Sequence, residues 1–249
     1  MTVVEEIQKL KQEKNAVILA HYYVRPEIQD IADYIGDSFY LSKVAVGLKE
    51  QTIVFCGVSF MGESAKVLNP EKTVLMPDMH ADCAMAHMAD AKTIQKMRDT
   101  YEDLAVVCYI NSTAELKTHS DVCVTSANAV KIVKALPNKN IFFIPDKNLA
   151  HFIAEQVPEK NFVYNEGYCP IHEHMQIEEI KEAKAQHPAA EVLAHPECPK
   201  AVLAISTTQR KVRNKSLSSV PKTASATSWK KTIRIRNFIL QRQSLSVQI

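Results

Sequence analysis

Three eight-residue blocks, AVILAHYY (16–23), LAVVCYIN (104–111) and AEVLAHPE (190–197), each run an apolar strand into an aromatic or histidine residue followed by polar ones. They begin 88 and 86 residues apart. In this register His21 falls on Tyr109 and then His195, Ser38 falls on Ser126 at the 88-residue offset, and Cys83 falls on Cys169 at 86. A period of that length is far longer than a solenoid repeat, so the chain must build a domain-sized unit and then build it again. Each unit offers a polar residue at the end of its first strand, a hydroxyl near the next helix start and a cysteine late in the unit.

Within each unit, short β-rich runs alternate with helical periodicity. Strands are expected at 16–20, 52–58, 73–77, 104–110, 122–126, 140–145, 161–165 and 191–195, with a helical pattern over 28–50 and another over 127–138. Strand–helix–strand at this spacing predicts βαβ units on parallel sheets, an α/β fold. The predicted architecture is a pseudo-threefold arrangement of parallel-sheet α/β domains. A first unit covers 1–85, a second 86–171, and the start of an incomplete third 172–204. Open α/β sheets take ligands at the carboxyl ends of their strands, so three units about a common axis would share one central site.

Charge separates these units from the rest. Residues 1–204 carry a net −8, whereas 205–249 carry +10 with no acid, glycine, histidine or cysteine, thirteen Ser and Thr, and the chain's one tryptophan, Trp229. The N-terminus lacks the cationic and then apolar pattern of a secretory signal, and no apolar run approaches the ~18 residues of a membrane helix. A cytoplasmic location is expected, in which thiols stay reduced and serve as core residues, metal ligands or nucleophiles.

Cys56, Cys108 and Cys123 lie inside apolar strands and read as small buried hydrophobes. Cys83, in MPDMHADCAMAH, and Cys169, in NEGYCPIHEH, lie in polar loops after strands, where one thiolate per unit suits a metal or an iron–sulfur cluster. A three-cysteine 4Fe-4S cluster would leave one iron free to act as a Lewis acid. Zinc is the alternative, with Cys83 and His87 or Cys169 and His172 at ligand spacing. His21, Tyr23, Tyr109, Asn111, His195 and Glu197 are the strand-end groups that would face the centre, as proton carriers and donors. Ser38 and Ser126 at helix starts would bind an anion, or would be ordinary N-caps. Together these groups describe a site for a small polyanion beside a metal.

Longer segments carry a specific likeness. ILAHYYVRPEIQDIADYIGDS (18–38), IVFCGVSFMGESAKVLNPEKTVLMPDMHADCAMA (53–86), CYINSTAELK (108–117), VTSANAVKIV (124–133), IPDKNL (144–149), EGYCPIHE (166–173) and AHPEC (194–198) resemble the quinolinate synthase family, in family order over residues 1 to about 204. The resemblance implies three pseudo-equivalent α/β domains around a 4Fe-4S cluster held by three cysteines. It implies condensation of iminoaspartate with dihydroxyacetone phosphate to quinolinate, phosphate and water in NAD biosynthesis, downstream of L-aspartate oxidase. Carried over, Cys83 and Cys169 are cluster ligands. His21, Ser38, Tyr109, Ile110, Asn111, Ser126, His195, Pro196 and Glu197 contact substrate, and Tyr23, His195 and Glu197 are the catalytic candidates.

The third unit departs from the family. A Gly-Ser-Thr segment is expected near position 212, where Val212 stands, and a third ligand cysteine near 255; Cys198 is not expected to replace it. The tail is accordingly read as the product of a reading-frame error, and little quinolinate synthesis is expected from this chain. Neither nucleic acid nor membrane is an expected partner. The alternatives are a zinc-dependent hydrolase or lyase of small carboxylates, and an RNA-binding module using the basic tail.

Overall fold

The computed structural model describes residues 1–206; the tail beyond, with Val212, lies outside the described residues. Helix α1 (Val3–Glu13) opens on a capping box in which Thr2 and Glu5 bond each other's backbone amides. It feeds β1 (Ala16–His21), followed by α2 (Pro26–Ile31), β2 (Tyr34–Gly36), α3 (Ser38–Gly47), β3 (Thr52–Cys56), α4 (Ser59–Leu68) and β4 (Thr73–Leu75). After a 3-10 turn over Ala84–His87, the series runs again. It comprises α5 (Ala91–Thr100), β5 (Leu104–Tyr109), α6 (Ala114–Thr118), β6 (Val122–Val124), α7 (Ala129–Ala135), β7 (Asn140–Ile144), α8 (Lys147–Ala154) and β8 (Asn161–Tyr164). Helices α9 (Pro170–Glu173), α10 (Ile177–Gln186) and α11 (Lys200–Ala204) complete the described elements.

Each series makes a four-stranded parallel sheet, in the orders β2-β1-β3-β4 and β6-β5-β7-β8. Every strand of the second sheet begins 88 residues after its counterpart in the first. The irregular features repeat with the strands. Asn15 and Asp103, 88 residues apart, both take positive φ (46° and 52°) where the chain leaves a helix and enters the central strand. Asp33 and Asp121, at the same offset, accept the Ile18 and Val106 amides at 2.8 and 2.7 Å and pair with Lys11 and Arg98. Repetition of such polar details identifies two copies of one unit, since apolar strands alone would align with many partners.

Three groups of buried side chains fill the interior. Leu19, Leu41, Ile53, Phe55 and Phe60 belong to the first sheet's core. Val107, Tyr109, Phe143 and Leu149 fill one face of the second sheet, and Ile94, Val106, Phe142 and Ile144 the other. Strand alternation sends adjacent residues to opposite faces, as Tyr109 and Cys108 illustrate. The two units meet where Glu63 accepts the Ala114 amide at 2.7 Å and the Lys117 ammonium reaches the Ser64 hydroxyl at 2.8 Å.

Sequence periodicity and the structure differ in three places. The pattern over 28–50 breaks into α2, β2 and α3, because the three-residue β2 is too short to interrupt a helical period. No strand forms over 191–195 within the described residues, whereas β1 and β5 each pair with two strands that follow them in the chain. Cys123 is exposed rather than buried because β6 is an edge strand, whereas Cys108 is buried and Cys56 half-buried.

Candidate active site

The last turn before α11 inserts Glu197 into the interior at 3% exposure, where burial of a carboxylate is costly unless it is paired. His172 on α9 supplies the pairing, with Nδ1 2.9 Å from Glu197 Oε2 in an ionic contact whose angle is not that of a regular hydrogen bond. Burial alone would raise the Glu197 pKa. His172, the nearby His195 and the Tyr109 hydroxyl beside the carboxylate outweigh it and hold Glu197 ionised. Reciprocally, burial disfavours the His172 imidazolium, and the Cys169 and Glu197 contacts reverse that and raise its pKa.

Two further histidines are neutral. His21, at the end of β1, is lowered to about 4 by burial, with the Asp37 carboxylate opposing. His195 is lowered by burial and by the charge of His172, with Glu197 opposing. The Tyr23 amide meets His21 Nδ1 at 3.3 Å, and the Glu197 amide meets His195 Nδ1 at the same distance. Nδ1 therefore accepts in both rings and Nε2 carries the proton, which in His195 is directed at the Ser126 hydroxyl 3.1 Å away. The 3.8 Å separation of His195 Nδ1 from Glu197 Oε1 is then a neighbourly contact rather than a second salt bridge.

Around this pair lie Tyr23, whose ring stands 4.5 Å from that of His21, and the thiols of Cys83 and Cys169. The Tyr23 pKa is raised by the protein around it and then by the charges of Glu197, Cys169 and Asp37, so the phenol keeps its proton. Both thiols are raised by burial, with Glu197 adding to the effect. Tyr23, His172, Met175, Ala194, His195 and Cys198 are among the residues lining a cavity of about 160 Å³.

The loop bearing Cys169 is fixed from below. Asp146 caps α8 by accepting the Leu149 amide at 2.7 Å and also accepts the Cys169 amide at 3.1 Å. Asn148 donates to Glu173 at 2.7 Å and to the Glu197 carbonyl at 3.1 Å, joining three elements. Gly167 passes so close to Pro145 that a Cβ would stand 2.5 Å from its carbonyl oxygen. Asp146 and Asn148 lie in the IPDKNL segment, and their spacing to Cys169 carries no local signal of these bonds.

A profile of quinolinate synthetase A proteins matches residues 5–232. The chain belongs to the quinolinate synthetase A family. The quinolinate synthase of Fusobacterium nucleatum subsp. nucleatum is 58% identical over 199 residues, covering 80% of this chain and 67% of that protein. The corresponding values for Clostridioides difficile quinolinate synthase are 56% over 197 residues, 79% and 65%. For a quinolinate synthase of Clostridium perfringens they are 53% over 206 residues, 83% and 68%. The chain thus spans about two thirds of the length of these relatives, which are named for an enzyme. No helix among the described residues is long and apolar enough to cross a membrane.

Within this quinolinate synthetase A chain, the expected site residues divide. Tyr109, Ser126, His195, Glu197, Tyr23, Cys83 and Cys169 converge on the Glu197 environment, and His21 joins through Tyr23. Ser38 is the first residue of α3, whose N-cap is Asp37, and Asn111 stands just past β5; among the described residues neither bonds the Glu197 group. Ile110 donates its amide to Val124 at 2.8 Å, and Pro196 is buried in the turn. Cys198 is buried against the Met175 sulfur, 3.6 Å away.

Cys169, His172 and Glu197 form a candidate metal-holding group, with donor atoms within 4.8 Å of one another. Sulfur, nitrogen and oxygen of this kind suit zinc, yet His172 Nδ1 and Glu197 are engaged with each other. The donors left for a metal are soft thiols, and Cys83 and Cys169 both pack against the buried cluster of the second sheet. That donor chemistry fits two ligands of an iron–sulfur cluster.

Proposed function

We propose that this chain carries residues of the quinolinate synthase site, the site that condenses iminoaspartate with dihydroxyacetone phosphate to quinolinate, phosphate and water. The proposed supply of iminoaspartate is L-aspartate oxidase. The observation that carries the reading is the convergence of strand-end groups from all three repeats, Tyr23, Tyr109 and His195, on one buried carboxylate, Glu197. Cys83 and Cys169 would hold a 4Fe-4S cluster. When bound, the cluster supplies a Lewis acid for a substrate hydroxyl or carboxylate.

The chain's own residues bind and move protons. His21 and the His195–Ser126 pair offer neutral donors to substrate carboxylate or phosphate oxygens, and their neutrality favours binding without burying a further charge. Tyr23 retains its phenolic proton and is the proposed donor to a departing hydroxyl. Glu197 is the proposed acceptor, with His172 and Tyr109 favouring its charged form. Glu197 is itself shielded from solvent, whereas Tyr23 is exposed.

Quinolinate itself is the probe. It is expected to raise the Tm of the metal-free chain in thermal-shift measurements, and His195→Ala and Ser126→Ala are expected to abolish the shift. No shift in the parent chain, or an equal shift in both variants, would overturn the reading.

A further inference from the structure

On the face of the second sheet turned away from Tyr109, Cys108 of β5 and Cys123 of β6 are direct partners in the parallel register. Cys108 is fully buried, whereas Cys123 is exposed on the edge strand. Side chains in register on neighbouring strands point to the same face, so the two thiols are neighbours there, with the Cys108 thiol donating to the Tyr109 carbonyl at 3.4 Å. Strands in a sheet lie ~4.8 Å apart, inside the ~4.4–6.8 Å window of Cα separations that a disulfide spans. The remaining four cysteines stand elsewhere. Cys83 and Cys169 belong to the Glu197 environment, Cys198 packs on Met175, and Cys56 lies in the other sheet.

We propose that Cys108 and Cys123 form a reactive dithiol that is oxidised to an intrachain disulfide by small-molecule disulfides. Cys123 is the point of entry, being open to solvent. Its thiolate attacks one sulfur of the oxidant, forming a mixed disulfide and releasing the first small thiolate. The Cys108 thiolate then attacks Cys123 Sγ, closing the Cys108–Cys123 bond and expelling the second. The two cysteines lose two electrons, the oxidant gains them, and the two thiol protons end on the two small thiols released.

The surroundings support this chemistry. The pKa of Cys108 is lowered beside Cys123 and that of Cys123 is raised, so Cys108 is the readier thiolate for the closing step, while exposure rather than acidity makes Cys123 the first to meet the oxidant. The Lys117 ammonium on α6 favours the same ionisation, its charge being felt by both sulfurs. Because strand alternation points Cys108 away from Tyr109, the bond would form without displacing the groups around Glu197.

Lysines and an arginine make the test direct, since trypsin cleavage after Arg98, Lys117 and Lys131 places the two cysteines on peptides 99–117 and 118–131. The full chain, reduced and then exposed to oxidised glutathione, is alkylated and mapped by mass spectrometry. Expected are a disulfide joining these peptides, loss of alkylation at both cysteines, and recovery of both with dithiothreitol. The Cys108→Ala variant is expected to stop at a Cys123–glutathione mixed disulfide. Accumulation of that mixed disulfide in the parent chain, or alkylation of both cysteines at the level of the unexposed protein, would overturn the proposal.

Discussion

Histidines 21, 172 and 195 share a residue type and a neighbourhood, yet their protonation differs because their partners differ. His172 faces an ionised carboxylate, whereas His21 and His195 each spend Nδ1 on a backbone amide. The His21 shift has a consequence for stability. Its pKa falls from an ordinary 6.5 to about 4 on folding, with burial the cause, so the unfolded chain binds a proton that the folded chain refuses. Stability is therefore full above pH 6.5 and falls as pH drops toward 4, by about 3 kcal/mol for this residue alone. Urea unfolding of the metal-free chain across that range is expected to show His21→Gln reducing proton uptake on unfolding by about one; an unchanged slope would contradict a buried neutral imidazole. At this scale the strand-end residues were legible because repetition marks them. The partnership of His172 with Glu197 was not, since 25 residues separate them and only the docking of the last turn brings them together.

At the scale of elements, the parallel sheets follow directly from the alternation of β-rich and helical runs. Strand β2 escaped because Tyr34–Gly36 is bounded by helix-like periodicity, although its counterpart β6 sits in a readable VCV run. The 88-residue offset also assigns meaning to two lysines that pattern alone leaves as surface charge. Lys72 Nζ donates to the Leu48 carbonyl at 2.5 Å and to Ala45 at 3.4 Å, at the end of α3. Lys160, 88 residues on, donates to Leu136 at 2.5 Å and Asn138 at 2.7 Å, past the end of α7. Each ammonium satisfies carbonyls that a helix end leaves unpaired and complements the negative end of the dipole. Lys72→Met and Lys160→Met keep the aliphatic stem and remove the donor, and each is expected to cost about 2 kcal/mol in urea unfolding. A negligible cost at either position would show that water replaces the ammonium there and that the two ends are not equivalent.

For the whole molecule, the question is how the third repeat holds together when its described portion, α10 and the turn into α11, has no sheet of its own. Val202 and Leu203 are buried at 2% and 6%, and with Cys198 they belong to the same core cluster as Val107, Phe143 and Leu149 of the second unit. Asn148 adds two hydrogen bonds from α8, and the His195–Ser126 and His172–Glu197 contacts close the seam. The segment is thus an extension of the second unit's core, and it should open with that core rather than with the first sheet. Leu203→Ala removes apolar contacts from a packed position and is expected to cost about 2–4 kcal/mol. Asn148→Ala removes the polar tether while leaving that packing in place. In native-state hydrogen exchange, amides over 196–204 are expected to share the protection of β5 and β7 in the parent chain. Leu203→Ala should weaken both together, and Asn148→Ala should lower the protection of 196–204 by more than that of β1 and β3. Exchange of 196–204 in step with the first sheet, or indifference of the segment to both substitutions, would mean that the Glu197 turn is held by something other than the second unit, and the convergence of the site on Glu197 would need a different structural basis.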